Sequence, residues 1–392
     1  MGTGILDYIR WRGDLSLHQS PFNAIDALIL CELSYLKLHD IVPAAFSKNG
    51  ITVADAAHDF FYAPDLTERS DTGLLINTAL VEMLRDMANS ERFANVRLCG
   101  YAESTDPAHE KQFAALTALP GDGSVFIAYR GTDDTIIGWK EDFNMAFMAP
   151  VPSQLEALAY VRQAAKLPGK LRIGGHSKGG NLAVYAATFC PPKIKRRIVS
   201  VYNNDGPGFE KDITGTPEFA GIRDKIATFV PQTSIIGMLL EHQEEYTVIE
   251  SEENGIMQHD PFSWQIVGAA FKKLDTLTDK SLAIDKTIRD WLSKMDCRQR
   301  EQFVDALFTV LTSSDAATLS ELSEKWSKNP AAAIKALLEL DENTRRIVWD
   351  TLQQLFKSAK ENIPLLADLF GTKHKKTLPE SGTHSKSRTK KV

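Results

Sequence analysis

The stretch that most constrains the fold is LRIGGHSKGGNLAVYAA, which runs from Leu171 to Ala187. A short apolar run, Leu171 to Gly174, leads into a serine framed by glycines, and a segment rich in small apolar residues follows until Pro191 and Pro192. The first run predicts a strand, and the segment after it predicts a helix from Gly179 to Cys190. A strand that passes through a tight turn into a helix is typical of the α/β class, in which a largely parallel sheet is covered by helices.

The flanking sequence continues this pattern. A helix is expected to begin with Ser20 as its N-terminal cap and Pro21 in its first turn, and a second helix is expected from Leu74 to Asn89. Two apolar runs on either side of Gly121–Gly123 predict a hairpin, so the sheet is expected to begin antiparallel. A helix from Ser153 to Lys166 and strands in RIVSVYN, KIATFV and EYTVIES complete the predicted α/β region.

Beyond about Pro261 the pattern changes, since apolar residues recur three and four apart and predict four or five packed helices. The expected organisation is therefore an α/β domain with a helical N-terminal segment over 1–265, a helical region over 266–370 and a basic disordered tail over 371–392.

Charge and cysteine usage exclude several function classes. The tail carries seven Lys and Arg and one Glu against a net charge of −6 for the whole chain, so residues 1–370 are strongly acidic and a nucleic-acid-binding face is not expected. The tail is either a solvated end or a contact for anionic lipid or nucleic acid, and a lipid contact would make the protein peripheral to a membrane. The four cysteines lie far apart, so neither a disulfide framework nor a metal or other cofactor is predicted.

Neither a Sec-type export signal nor a membrane span is predicted. The N-terminus is charged at Asp7, Arg10, Arg12 and Asp14, and no apolar stretch approaches the roughly 18 residues of a membrane span. A cytoplasmic location is expected, with export that needs no signal peptide as the alternative.

Ser177 is the candidate nucleophile. It lies at the centre of a Gly-x-Ser-x-Gly pattern between a predicted strand and helix, which is the setting of a nucleophile elbow. Gly175 and Gly179 would let the helix approach the strand, and the helix N-terminus with the Lys178 N–H would suit a developing oxyanion. The alternative is a Gly/Ser turn without chemistry.

A serine needs a base, and a carboxylate to orient that base. His242 and His259 lie downstream of Ser177 and outside the tail, and His259 is preferred because it follows the last strand. Asp205 is preferred as the acid because it follows the strand after the Ser177 helix; its alternative role is to form a turn. Asp260 is adjacent to His259 and would have to fold back on its neighbour. The next strand end, TFVPQTS, contains no carboxylate.

Four stretches together resemble the class 3 lipases and, more closely, a branch of lipase-like bacterial α/β-hydrolases: VFIAYRGTDDTIIGWKEDF, IGGHSKGGNLA, VYNNDGPGF and LLEHQEEYTVIE with MQHDPF. The resemblance covers roughly residues 90–265 and implies an α/β-hydrolase fold. It also implies that Thr132 and Lys178 form the oxyanion hole and that Asp133 to Met148 is a lid-like cover; packing of that segment on the core is the alternative.

This chain departs from the class in two places. A charged Lys178 stands where these lipases carry a hydrophobic residue, and the usual acid position coincides with PQTS. The leading hypothesis is a serine hydrolase that cleaves carboxylic esters, acyl lipids above all, with Ser177, His259 and Asp205 as its triad. The alternatives are an amidase or thioesterase with the same triad, a degraded hydrolase whose C-terminal helices bind an unidentified protein, and a toxin-like lipase delivered by those helices.

Overall fold

The protein is described by a computed structural model, which covers residues 3–73, 76–145, 147–209, 211–240, 242, 244–312, 316–328, 335 and 337–362. The helices are α1 (Ile5–Arg12), α2 (Ala24–Leu33), α3 (Val53–Phe61), α4 (Leu66–Arg69), α5 (Ala79–Ala88), α6 (Ile136–Asn144), α7 (Pro152–Ala164), α8 (Lys178–Phe189), α9 (Pro192–Lys195), α10 (Lys211–Thr214), α11 (Pro217–Ala220), α12 (Asp279–Ser293), α13 (Cys297–Thr312), α14 (Leu319–Lys328) and α15 (Glu342–Asn362). The strands are β1 (Ile51–Thr52), β2 (Arg97–Asp106), β3 (Lys111–Leu119), β4 (Ser124–Tyr129), β5 (Lys170–His176), β6 (Ile198–Asn204), β7 (Ile226–Pro231), β8 (Tyr246–Ile249), β9 (Ile266–Val267), β10 (Ala270–Phe271) and β11 (Lys273–Leu274).

One nine-stranded sheet organises the α/β region, in the order β1-β2-β3-β4-β5-β6-β7-β8-β11. Strands β4 to β8 are parallel to one another, whereas β1, β2 and β3 add antiparallel beside β4, and β11 adds antiparallel beside β8. The predicted α/β class and the antiparallel hairpin around residues 121–123 are therefore confirmed.

The residues of β4 show how the two faces of the sheet are covered. Phe126 and Ala128 pack with α1, α2, α3 and α5, whereas Val125, Ile127 and Tyr129 pack with α7 and α8. Right-handed crossovers between sequential parallel strands put the connecting helices on one face, so the N-terminal helices must cover the other. The carboxyl ends of β4 to β8 consequently meet at one edge, where Ser177, Asp205 and the loop after β8 lie.

The starts of two predicted helices differ from the structure. Helix α2 begins at Ala24 because the Asn23 side chain, rather than Ser20, accepts hydrogen bonds from the N–H groups of Ile25 and Asp26. The second helix begins later than Leu74, at Ala79 in α5. Leu74 itself lies outside the described residues.

The strands also continue past residue 265, where only helices were expected. β9 and β10 pair with each other, and β11 adds to the main sheet through Lys273 opposite Ile249. Two-residue strands are too short to show the alternation of apolar and polar residues that identifies a strand in sequence. The sheet region thus extends about ten residues beyond the expected boundary, to Leu274.

The C-terminal helices pack on the α/β region through α6. Ile136 of α6 lies in one apolar cluster with Phe303, Val304 and Phe308 of α13, and the Ile136 N–H donates to the Ala317 carbonyl over 3.0 Å. Four of the expected helices are described, and the expected tail over 371–392 lies outside the described residues. No helix in the described part of the chain has the length and apolar character required to cross a membrane.

Candidate active site

Ser177 occupies a strained turn between β5 and α8. Its backbone has φ 57° and ψ −134°, a conformation that non-glycine residues rarely adopt. The turn is tight because strand and helix touch, and a Cβ added to Gly175 would lie 2.1 Å from the carbonyl carbon of Gly179. Strain of this kind persists where the surrounding structure enforces it, and it is common at active sites.

His259 and Asp205 come together beside Ser177. The Nδ1 of His259 lies 2.6 Å from Oδ2 of Asp205. Asp205 is fully buried, and its other oxygen accepts a hydrogen bond from the Ser234 hydroxyl at 2.5 Å. Because a carboxylate on Nδ1 favours a proton there, Nε2 of His259 is left free to accept one.

The alternatives His242 and Asp260 are engaged elsewhere. The two ring nitrogens of His242 contact Glu244 at 2.9 Å and the Gly237 carbonyl at 2.5 Å. Asp260 accepts hydrogen bonds from the Asn77 side chain at 2.6 Å and from the Phe262 N–H at 3.0 Å. Of the two histidines, it is His259 that lines a cavity together with Ser177, and these two residues form no hydrogen bond to each other in the described structure.

The PQTS segment, which contains no carboxylate, holds the loop of His259. Besides the contact of Ser234 with Asp205, the side chain of Gln232 pairs with the backbone of Ser251, and the Thr233 N–H donates to Gln258 over 2.7 Å. Sequence reasoning missed Ser234 because it looked there only for an acid. The signal available in the sequence was the hydroxyl residue Ser234, which follows the neighbouring parallel strand β7 and could donate to Asp205.

His176 connects the histidine loop to the end of β4. Its Nε2 lies 2.9 Å from the backbone carbonyl of His259, which can only accept, so this nitrogen carries the proton. Burial lowers the pKa of His176 well below its ordinary value, so the ring is neutral and Nδ1 faces Tyr35 at 3.3 Å. The Tyr35 hydroxyl in turn accepts the N–H of Gly131 at 3.1 Å. This chain of contacts was not predicted, although His176 stands next to the serine in the sequence.

The two residues expected to form the oxyanion hole flank the serine. Thr132 lines the cavity with Ser177, and a Cβ added to the preceding Gly131 would lie 3.0 Å from the Cβ of Ser177. The Thr132 hydroxyl donates to Asp142 over 2.5 Å, which leaves the backbone N–H as the group free for a ligand. Lys178 is the first residue of α8, where helix N–H groups have no partner in the helix.

The charged side chain of Lys178 points away from the cavity. It is buried, and Nζ donates to the backbone and side-chain oxygens of Gln112 at 2.9 and 2.7 Å and to Glu141 at 3.1 Å. Glu141, on α6, also accepts from the N–H of Gln112 and from both the N–H and the hydroxyl of Ser153. The lysine thus ties α8 to α6 and β3, which explains a charge beside an apolar site.

Asp142 adds a second acidic group to this network. Burial raises the pKa of its carboxyl to about 6, although the Lys178 ammonium and the hydrogen bond from Thr132 act in the opposite direction. Its Oδ1 is buried without a hydrogen bond, 3.9 Å from Nζ of Lys178.

The segment expected to be a lid has two roles. Trp139 lines the cavity with Ser177, whereas Ile136 and Phe147 pack in the cluster of the C-terminal helices. Phe143 stacks edge-on against Phe308 of α13 with 5.7 Å between ring centroids. Core packing, the alternative weighed in the sequence, therefore describes most of this segment.

The cavity has a volume of about 150 Å³. Its wall contains both polar and apolar residues, namely Glu32, Tyr35, Ile76, Asn77, Thr132, Trp139, His176, Ser177, Ile236, Ile256, Met257, His259, Asp260 and Pro261. Within the residues described, no three His, Cys, Asp or Glu side chains are grouped as a metal site would require.

Comparison with known proteins places this geometry in a family. A family model described as Mbeg1-like matches residues 87–309. No curated protein matches the sequence. Among solved structures, the crystal structure of M37 lipase is similar at 16% identity with a TM-score of 0.34, over 54% of this chain and 68% of that chain.

The family match agrees with the expected resemblance at the level of a lipase-like family. The narrower resemblance to class 3 lipases, and to a bacterial branch, stays a prediction. Because the family model spans more than half of the sequence, including Ser177, Asp205 and His259, the chain belongs to the Mbeg1-like family.

Proposed function

We propose that the protein is a serine hydrolase that cleaves carboxylic esters. The observation that carries the proposal is the 2.6 Å contact between His259 and Asp205 at the cavity that also contains Ser177. The strained backbone of Ser177 adds to this, because it presents a hydroxyl at the end of a parallel strand and the start of a helix.

In the proposed reaction His259 Nε2 takes the proton of the Ser177 hydroxyl as its oxygen attacks the ester carbonyl. Asp205 holds the proton on Nδ1 and stabilises the imidazolium that forms. The N–H groups of Thr132 and Lys178 donate to the oxyanion of the tetrahedral intermediate. His259 then protonates the leaving alcohol, which leaves an acyl group on Ser177, and water activated by His259 releases the acid.

His176 acts as a positioning residue in this scheme. Its hydrogen bond to the His259 carbonyl, with the contacts of Gln258 and Ser234, orders the loop before substrate arrives. Pre-organised groups reduce the reorganisation needed in the transition state.

The test is hydrolysis of p-nitrophenyl esters with acyl chains of two to twelve carbons. We expect turnover that is lost in Ser177→Ala and in His259→Ala, with the shorter esters preferred because the cavity holds only about 150 Å³. Matched p-nitroanilides and thioesters assign the bond that is cleaved. A folded wild-type protein that hydrolyses none of these compounds would overturn the proposal and favour a binding role for the fold.

A further inference from the structure

One side of the cavity contains a buried carboxyl without a hydrogen bond. Glu32, on α2, is 3% exposed and lines the cavity, and its Oε1 is buried with no hydrogen-bond partner in the described part of the chain. The nearest ring nitrogen is Nδ1 of His176, at 3.4 Å. Leaving a buried carboxyl unsatisfied is costly, so such a group in a cavity wall indicates a ligand.

The surroundings of Glu32 add negative charge and supply no fixed cation. Asp260 lines the same cavity. Burial, and to a smaller extent the nearby Asp260, raises the pKa of Glu32 well above its ordinary value, so the carboxyl ionises when a cation lies beside it. His176 is neutral for the reasons given above. None of the described residues in the cavity wall is a lysine or an arginine.

The size of the cavity limits what would reach this carboxyl. A cavity of about 150 Å³ is close to the volume known to hold one benzene molecule in a protein core. The remaining wall is apolar at Trp139, Ile236 and Met257, which suits a short carbon chain between the reacting carbonyl and Glu32.

We propose that the cavity selects esters of short acyl groups that end in a protonated amine, with the ammonium donating to Glu32. This deepens the proposed esterase function and rests on it, and it is narrower than the acyl lipids expected from the sequence. The ammonium has three hydrogen-bond donors for the carboxylate of Glu32, and the negative charge of Asp260 adds to its attraction.

The experiment compares two p-nitrophenyl esters of equal size. The β-alanyl ester carries an ammonium where the butanoyl ester carries a methyl group, and the 3-hydroxypropanoyl ester supplies a neutral donor of the same length. After subtraction of spontaneous hydrolysis, we expect kcat/KM for the β-alanyl ester to exceed that for the butanoyl ester by at least about tenfold, which is the scale of one hydrogen bond to a charged group.

Glu32→Gln keeps the shape of the side chain but cannot become the carboxylate that pairs with the ammonium, so we expect the β-alanyl to butanoyl ratio to fall about tenfold or more. Glu253→Gln is the matched control, since Glu253 is exposed near the histidine loop, and it should leave the ratio unchanged. A wild-type ratio near one, a ratio unaffected by Glu32→Gln in a folded protein, or equal preference for the hydroxyl ester would overturn the proposal.

Binding measured without catalysis separates the two proposals. Ser177→Ala cannot form an acyl-enzyme, and n-propylammonium should raise its Tm more than n-propanol does, but not when Glu32→Gln is added. If neither ester is cleaved while this selective binding is seen, the esterase assignment fails and the ammonium site stands. If esters are cleaved and n-propylammonium gives no selective shift, the ammonium site fails alone.

Discussion

The sheet region and the C-terminal helical region differ in the size and burial of their apolar cores. In the sheet region the apolar side chains from both faces form extended cores, and Phe126 and Ile127 of β4 are completely buried. In the helical region the core is one small cluster, and its buried members keep some exposure, as at Phe308 with 3% and Phe303 with 6%. Trp349 and Phe356 of α15 are 58% and 68% exposed.

This contrast indicates that the sheet region sets the geometry of the candidate active site. Ser177, Asp205 and His259 follow strand ends, whose positions are set by the hydrogen bonds and packing of the sheet. Among the described contacts, the C-terminal helices do not line the cavity themselves. Helix α13 packs on α6, whose Trp139 lines the cavity, and Ser281 of α12 donates to the carbonyl of Ser234, whose hydroxyl contacts Asp205. Changes in the sheet region should therefore affect chemistry and stability together, and changes in the helices mainly stability.

The largest effect is expected for Asp205→Asn. This change removes the charge that stabilises the imidazolium, and we expect kcat for ester hydrolysis to fall by about 10³ to 10⁴ with little change in KM. Asp106→Asn is the matched control, because Asp106 also pairs with a histidine, His109 at 2.7 Å, but on the surface. If both variants kept wild-type rates, Asp205 would not be the acid.

Lys178→Met tests the buried link between α8 and α6. The change leaves Glu141 buried without its cation, so we expect a loss of about 3 to 5 kcal/mol in the free energy of unfolding, measured by urea denaturation. Adding Glu141→Gln should recover part of this loss. Lys140→Met removes a more exposed lysine that pairs with Glu110, and it should lower the free energy of unfolding by about 1 kcal/mol or less. If Lys140→Met lowered it as much as Lys178→Met does, the special role of the buried network would be contradicted.

Phe126→Ala and Phe308→Ala compare the two regions directly. Each removes a buried ring. We expect the free energy of unfolding, measured by urea denaturation, to fall by about 4 kcal/mol for Phe126→Ala in the extended core. The loss should be only about half of that for Phe308→Ala, because its small cluster can relax around the gap. Activity at a temperature where both variants are folded should change less for Phe308→Ala. Equal losses in both properties would remove the distinction between the regions.

The raised pKa of Asp142 predicts a smaller, pH-dependent effect. The folded protein holds this proton up to about pH 6, whereas the unfolded chain releases it near the ordinary value of 3.8. The free energy of unfolding should therefore fall as pH rises from about 4 to about 6, by up to about 3 kcal/mol, and then level off. The free energy of unfolding of Asp142→Asn should not show this fall. If the wild-type protein and Asp142→Asn had the same dependence of unfolding free energy on pH, the prediction would be contradicted.

The sequence was most informative where local pattern and backbone geometry coincide. The strand, the glycine turn and the helix around Ser177 are all visible in a few consecutive residues, as is the hairpin at 121–123. The pairing of Asp205 with His259 was also anticipated, since both follow strands that end at one edge of the sheet.

What the sequence did not reveal depends on side chains that meet from distant positions. Glu141 meets Lys178, and Glu32 meets His176, across 37 and 144 residues of chain, and no local pattern reports such contacts. The strands after residue 265 were missed for a different reason, because pairing with β8 rather than their own composition holds β11 in the sheet.

The central claim, that Ser177 is an activated nucleophile, is tested most directly by a fluorophosphonate probe and mass spectrometry of the intact protein and its peptides. We predict one adduct per chain, located on Ser177, absent in Ser177→Ala and formed at least a hundredfold more slowly in His259→Ala. A folded wild-type protein that stays unlabelled, or labelling that persists in Ser177→Ala, would contradict it.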